Sequence, residues 1–266
     1  MIRIHGTTVQ EELYKLKTSG RHIDDADDGG ETALHWAAGR NDQDAVILLL
    51  MNGADINRPS FRGRRPLDQA ASFCPNSDCA TLLLQRGARV DLVENQGRSA
   101  LCLACTNMSD AAAENVSLLL DYTDAALPDR TGRAALSHAA LWNNCAAMRV
   151  LIDHGVDLDA QDQSGYTALA VAIHYNHHDA VELLIEAKAA HTMLDGRGRN
   201  ILHIAAHRSD RAMRQILMDG NLEDLDVELH DKDGQTAREA FLDQKSKRLT
   251  AAEVCPPLLI NHKETC

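Results

Sequence analysis

Aromatic residues are scarce in this chain: three Phe, four Tyr and two Trp make up 3% of 266 residues. Ala and Leu must therefore fill the interior, as in thin stacked helices. Long apolar runs are missing as well. The longest, Ala45 to Met51, is far too short to cross a bilayer. Positive charge is in deficit, with 27 Lys and Arg against 39 Asp and Glu and a net charge of −12. That balance argues against general binding to nucleic acid or to anionic membrane surfaces. Met1 to Thr18 is polar and charged, without the apolar stretch of a secretory leader. The seven cysteines are odd in number and scattered, so a reducing intracellular setting, cytoplasmic or nuclear, is expected.

What the chain has is a period. Gly30, Gly63, Gly97, Gly132, Gly165, Gly198 and Gly234 follow one another at steps of 33, 34, 35, 33, 33 and 36 residues. Four positions after the first six of these stand Leu34, Leu67, Leu101, Leu136, Leu169 and Leu202, and seven positions after stand Ala37, Ala70, Ala104, Ala139, Ala172 and Ala205. Only the seventh unit departs, with Arg238 and Phe241. A fixed period near 33 with this positional identity predicts a repeat array. Each unit reads as turn, helix, short turn, helix, loop. Thr32, Ser99, Thr167, Asn200 and Thr236 stand where a cap begins the first helix, whereas Arg65 and Ala134 do not supply one. Pro66 fits the first helical turn, where a missing N–H costs nothing. Gly53, Gly87, Gly155 and Gly220 read as left-handed stops for the second helix. The third and sixth units have Tyr122-Thr123 and Ala187-Lys188 there instead, which marks two candidate weak joints.

The run Asp28-Gly29-Gly30-Glu31-Thr32-Ala33-Leu34-His35-Trp36-Ala37-Ala38, continuing through Leu48-Leu49-Leu50 to Asn52-Gly53-Ala54-Asp55-Ile56-Asn57, closely resembles an ankyrin repeat. The resemblance covers about Leu13 to Asp243. It implies an all-α solenoid of stacked antiparallel helix pairs with β-hairpin fingers projecting at right angles. The expected organisation is one domain over 1–266: a half-repeat cap at 1–27, seven repeats over 28–243, and a C-terminal cap helix and tail at 244–266. Leu13, Leu16 and Gly20 align with Val46, Leu49 and Gly53, so the chain opens on the second helix of a unit. That is either an amphipathic cap or the mark of a fragment. Pro256-Pro257 stops any helix near the other end.

The resemblance also implies function. Ankyrin repeats generally bind proteins, without catalysis or cofactors, through the fingers and the concave ends of the inner helices. The inner-helix pairs here are Gly39/Arg40, Ser72/Phe73, Thr106/Asn107, Leu141/Trp142, His174/Tyr175 and His207/Arg208. Phe73, Trp142 and Tyr175 share one register, at positions the core does not need, and aromatics are common energetic anchors of interfaces. The alternative is isolated surface aromatics with no role.

Immediately after the anchor glycines come Glu31, Arg64, Arg98, Arg133, Tyr166, Arg199 and Gln235, with Arg62, Arg130 and Arg197 beside them. This predicts a basic stripe along the fingers, suited to an acidic peptide, a carboxylate or a phosphate. The alternative is arginines that pair with nearby acids such as Asp129 or Asp195. The expected partner is a protein or peptide, acidic or aromatic-bearing, held by Arg62, Arg64, Phe73, Arg98, Arg133, Trp142, Tyr166, His174, Tyr175, Arg199, His207 and Arg208.

Two chemical readings compete with binding. His138, His174 and His207 fall on three successive inner helices, and with Tyr175 they could perform acid–base work in the same groove on a small molecule. No Ser/His/Asp spacing, phosphate loop or dinucleotide fingerprint accompanies them. Cys102 and Cys105 have CxxC spacing, with Cys74 and Cys79 upstream. Cys105 takes a core alanine position and Cys102 the His35 slot, so buried thiols fit better than a metal site. His35 and His203 are expected to bridge the turn by hydrogen bonds. Trp36 reads equally as packing on the N-terminal cap or as facing the groove.

Overall fold

A computed structural model describes residues 22–109, 112–220, 222 and 225–242. Twelve helices span them: α1 (Ala33–Gly39), α2 (Gln43–Met51), α3 (Pro66–Phe73), α4 (Asp78–Gln85), α5 (Ala100–Ala104), α6 (Ala112–Leu120), α7 (Ala135–Leu141), α8 (Cys145–Asp153), α9 (Ala168–Tyr175), α10 (His178–Glu186), α11 (Ile201–Arg208) and α12 (Arg211–Asp219). Residues 237–242 are helical too. Odd-numbered helices pack on odd and even on even, and in the first five units the two helices of a pair also pack on each other. The arrangement is two parallel rows of helices. The half-unit expected at the start falls mostly on 1–21, and the tail expected over 244–266 falls wholly outside the described residues.

The core follows the period. Leu34, Leu67, Leu101, Leu136 and Leu169 are buried, as are Ala37, Ala70, Ala104, Ala139, Ala172 and Ala205. Alanine lets the inner helices approach closely, and leucine fills the space between rows. The second row contributes Leu49, Leu83, Leu119, Leu151 and Leu184, all buried. In the last unit Phe241, which stands where the other units have a buried alanine, is exposed.

Asparagines tie one unit to the next. Asn41, Asn143 and Asn176 take left-handed φ of 59°, 52° and 62° between the helices of a pair. Their short polar side chains tolerate that region. Each Oδ1 then accepts a backbone N–H of the following unit, from Cys79 at 3.2 Å, Ala180 at 3.2 Å and Asp210 at 3.3 Å.

The fingers are built on one repeated turn. The residue three before each anchor glycine donates its N–H to the carbonyl just after the glycine, as in Glu94 to Arg98 at 3.0 Å and Asp195 to Arg199 at 3.0 Å. The glycine N–H returns to that same residue, as in Gly97 to Glu94 at 2.8 Å. Successive fingers are then strung together by single bonds: Phe61 to Gly29, Asn95 to Arg62, Arg130 to Gln96, Gln163 to Thr131, Gly196 to Ser164 and Lys232 to Arg197, all 2.8–3.1 Å. The anchor glycines are needed twice over. Their φ is positive, and a Cβ at Gly30 or Gly165 would lie 2.5 Å from the neighbouring finger's amide nitrogen. One bond per junction is too little for a ladder. Among the described residues the fingers are hydrogen-bonded turns rather than β-hairpins, with one isolated bridge between His230 and Thr236.

Two stops differ from expectation. Gly220 is not left-handed: its φ is −69°. A Cβ there would meet Ile185 at 3.2 Å, so the glycine serves close packing of α12 on α10. Lys188 takes the left-handed role that a glycine has elsewhere, with φ 64°.

Candidate functional site

Each finger turn except the second is closed by a carboxylate. Oδ1 of Asp129 accepts the N–H groups of Thr131 at 2.7 Å and Arg133 at 3.0 Å. Asp27, Glu94, Asp162, Asp195 and Asp231 do the same in their own turns, each taking two N–H groups. The carboxylates also reach the arginine row. Arg98 is 3.1 Å from Glu94, Arg133 is 3.2 Å from Asp162, and Arg199 is 2.7 Å from Asp195. Arg199 further donates to the Tyr166 hydroxyl at 2.7 Å. Three arginines of the expected stripe are therefore paired and oriented by finger carboxylates, Arg98 and Arg199 by their own turn and Arg133 by the next one, and they keep only their remaining N–H groups for a ligand.

The second finger is different. Ser60 stands where the others have Asp or Glu, and its buried hydroxyl has no hydrogen-bond partner. Among the described residues no carboxylate lies within ion-pair distance of Arg62 or Arg64. Arg64 instead lies 5.9 Å from the centroid of the Phe73 ring, and burial together with the neighbouring Arg98 guanidinium pushes its pKa below the ordinary arginine value.

Inner-helix ends form the other wall. Phe73, Trp142 and Tyr175 are 60%, 46% and 47% exposed. Around Tyr175 the rings form a chain: Tyr166 to His174 at 5.8 Å, His174 to Tyr175 at 5.0 Å, and Tyr175 to His177 at 6.1 Å. Two open cavities lie where fingers and inner helices meet. One, about 480 Å³, is lined by Tyr166, His174, Asp195, Arg197 and Arg199 among others. The second, about 340 Å³, lies in the first two units between Trp36 and Phe73, floored by Gly39 and flanked by Arg40, Arg62, Arg64 and Glu31. Trp36 thus faces the groove, with its indole N–H donated to Asp27 at 3.1 Å and Arg40 5.7 Å over its ring. Glu31 is held by Gln69 Nε2, and burial, then Asp27, raises its pKa.

The histidine cluster needs correction. His138 is 4% exposed, and its Nε2 donates to Asp129 at 3.0 Å while Nδ1 is buried without a partner. Burial holds its pKa below the ordinary value against the pull of Asp129. It sits six positions after its anchor, a register that points under the finger, so it does not share a surface with His174. The side chains of His207 and Arg208 lie outside the described residues. His35 bridges as expected: Nδ1 accepts the Thr32 N–H at 3.1 Å and Nε2 donates to the Arg64 carbonyl at 3.0 Å. His203 Nε2 lies 3.0 Å from the Gln235 carbonyl. Cys102 and Cys105 are free and buried, and burial raises both thiol pKa values.

The N-terminal notch adds Trp36, Gly39 and Arg40 to the expected site residues. Its signal in the sequence is not the residue after each glycine but the one three before it, where Ser60 breaks a row of acids.

The ankyrin-repeat sequence profile matches three times, over residues 5–93, 67–162 and 147–229. The chain belongs to the ankyrin-repeat family. Ankyrin repeats are in general protein–protein interaction modules. Similar curated proteins include mouse neurogenic locus notch homolog protein 1, 35% identical over 132 residues, which is 50% of this chain and 5% of that protein. Human SH3 and multiple ankyrin repeat domains protein 2 is 32% identical over 146 residues, 54% of this chain and 8% of that protein. The ankyrin-repeat chain thus spans a small fraction of these relatives. Among solved structures, the ankyrin repeat domain of Bcl-3 aligns with a TM-score of 0.65 at 23% identity over 82% of this chain and 100% of its own, and human ASB11 with 0.67 at 24% over 80% and 98%. These share the fold. Among the described residues no helix is long and apolar enough to cross a membrane.

Proposed function

We propose that this ankyrin-repeat chain is a non-catalytic recognition module that takes up an acidic or aromatic-bearing segment of a protein partner in the groove between its fingers and inner helices. One observation carries the reading: Phe73, Trp142 and Tyr175 occupy the same register of three units and all stand about half exposed or more. Large aromatic surface left in water costs stability that a monomer has no need to give up, and it is recovered when a partner covers it. Arg64 supplies a guanidinium with no carboxylate in ion-pair contact, set by the Phe73 ring. Arg98, Arg133 and Arg199 supply N–H donors fixed in place by Glu94, Asp162 and Asp195. Tyr166, His174 and Arg62 complete the wall.

The test is affinity capture from lysate with the wild type and a Trp142→Ala/Tyr175→Ala double variant, followed by analysis of the proteins and small molecules retained. A protein held only by the wild type supports the reading. Equal retention by both forms, or a small molecule retained in place of any protein, overturns it.

A further inference from the structure

Two regularities break in the first two units, one in the turn that carries Arg64 and one at Gly39, and Arg64 and Gly39 line the same cavity. Six of the seven turns carry an acid three residues before the glycine, and the acid gathers two backbone N–H groups. In the turn of Ser60 that acid is missing. The backbone bonds of the turn persist, Ser60 N–H to Arg64 at 2.7 Å and Gly63 N–H to Ser60 at 2.8 Å, so the loop keeps its shape while losing its charge. Arg98 and Arg199 each meet their own turn's carboxylate, whereas the turn of Arg64 offers none and its guanidinium lies by the Phe73 ring. The guanidinium is partly desolvated and has no carboxylate in ion-pair contact, with Glu94 and Asp68 acting on it only from a distance, a state that an incoming anion in direct contact relieves.

The second break is steric. Gly39 stands at the inner-helix register that carries Ser72, Thr106, Leu141 and His174 in the next four units. With no side chain there, the surface sinks between Trp36 and Phe73 to give the cavity of about 340 Å³. Its walls are two aromatic rings, each with an arginine over it. Arg62 and Arg64 border it beside the carboxylate of Glu31, which Gln69 already engages. The acidic residues of the first finger do not close the notch, since Asp27 is spent on its own turn and on the Trp36 indole.

We propose that this notch is a specific subsite for a peptide in which a bulky apolar side chain adjoins an acidic one. The apolar group fills the space over Gly39 between the two rings, and the carboxylate pairs with Arg64, supplying the charge that Ser60 withholds. The proposal rests on the groove reading above and assigns the acidic specificity to units one and two. Arg98, Arg133 and Arg199 are already paired with finger carboxylates and add little discrimination by charge.

The experiment uses the whole chain and a capped five-residue probe, leucine flanked on each side by two glutamates, titrated by calorimetry and by the emission of Trp36. Two control peptides replace the glutamates by glutamines or the leucine by alanine. Ser60→Asp restores the acid found in the other turns and places it on Arg64, so it should weaken probe binding about ten-fold or more while preserving the helical spectrum, the range of a lost charge-assisted contact. Should that variant fail to fold, Arg64→Gln reads the same contact and should show the same loss. Gly39→Val fills the notch; its Cβ would meet only ordinary contacts, the nearest at 3.6 Å from Gln69. It should weaken the leucine probe and leave the alanine control unchanged.

Undiminished binding to Ser60→Asp or Arg64→Gln overturns the proposal, as does no saturable binding to the wild type. Displacement of the probe by acetate or inorganic phosphate at matched concentration overturns it too, since that marks a bare anion site. If the Trp142→Ala/Tyr175→Ala variant loses its partner while Ser60→Asp keeps it, the subsite fails and the groove reading survives.

Discussion

Asp195 and Arg199 are joined twice: the carboxylate accepts the Arg199 backbone N–H at 3.0 Å and its guanidinium at 2.7 Å. One side chain therefore closes a turn and aims an arginine. The same residue takes the N–H of Arg197 at 2.8 Å. Removing it strands two N–H groups and one part-buried cation. Asp195→Ala should cost about 2–3 kcal/mol, read as a lowered urea midpoint by circular dichroism. Asp195→Asn keeps an oxygen on the turn and should lose clearly less. Equal losses for the two variants would mean that the charge alone matters and the turn does not.

The contrast between core and groove gives a second prediction. Leu169 is fully buried between the helix rows, whereas Trp142 is 46% exposed. Leu169→Ala should cost about 2–5 kcal/mol. Trp142→Ala should stay within about 1 kcal/mol of wild type, as exposed substitutions generally do, and should reduce partner capture. A large thermal loss for Trp142→Ala would place that ring in the core and undo the face assigned to it.

Most of the fold was legible because the period samples the same environment again and again. Leu34 and Leu169 predict each other's burial, and Gly30 and Gly165 predict each other's positive φ. The site was less legible, because function lies in departures from the repeat. Arg64, Arg98, Arg133 and Arg199 look alike as letters, yet of the four only Arg64 makes no ion pair, and Ser60 leaves its turn without an acid. That signal was present in the row Asp27, Ser60, Glu94, Asp129, Asp162, Asp195, Asp231. His138 misled for the opposite reason: a shift of one position from the slot of His35 sends the ring beneath a finger toward Asp129. The strand character of the fingers could not be read from residue types, since it depends on how many bonds each junction can make.

Lys188 offers a test of the one left-handed stop, among the described residues, that is not built from glycine or asparagine. A side chain at φ 64° crowds the following carbonyl at roughly 1 kcal/mol or more. Lys188→Gly should therefore raise the urea midpoint by the equivalent of about 1 kcal/mol, while Gly155→Ala, at φ 80°, should lower it by a similar amount. If Lys188→Gly is neutral or destabilising, the lysine must hold that turn through contacts of its aliphatic stem.

Asp68 makes stability depend on pH with a sign opposite to that of a paired surface acid. It occupies the slot that holds His35 in the first unit, and its Oδ2 accepts the Arg65 N–H at 2.8 Å. Burial raises its carboxyl from 3.8 to about 6, outweighing that hydrogen bond and the nearby Arg65 and Arg64 charges. Between those two pH values the folded chain holds a proton that the unfolded chain has released. The favourable contribution is thus complete below the unfolded value and disappears as pH rises through about 6. At about 1.4 kcal/mol per unit, the swing is on the order of 3 kcal/mol. Asp68→Asn keeps an acceptor for the Arg65 N–H and cannot ionise. The variant should therefore gain on the wild type as pH is raised from about 4 to about 7. His35 and His138, whose pKa values burial lowers, titrate in both proteins and cancel from the difference. A gap between the two urea midpoints that does not change over this range would show that Asp68 is ionised in the folded chain throughout.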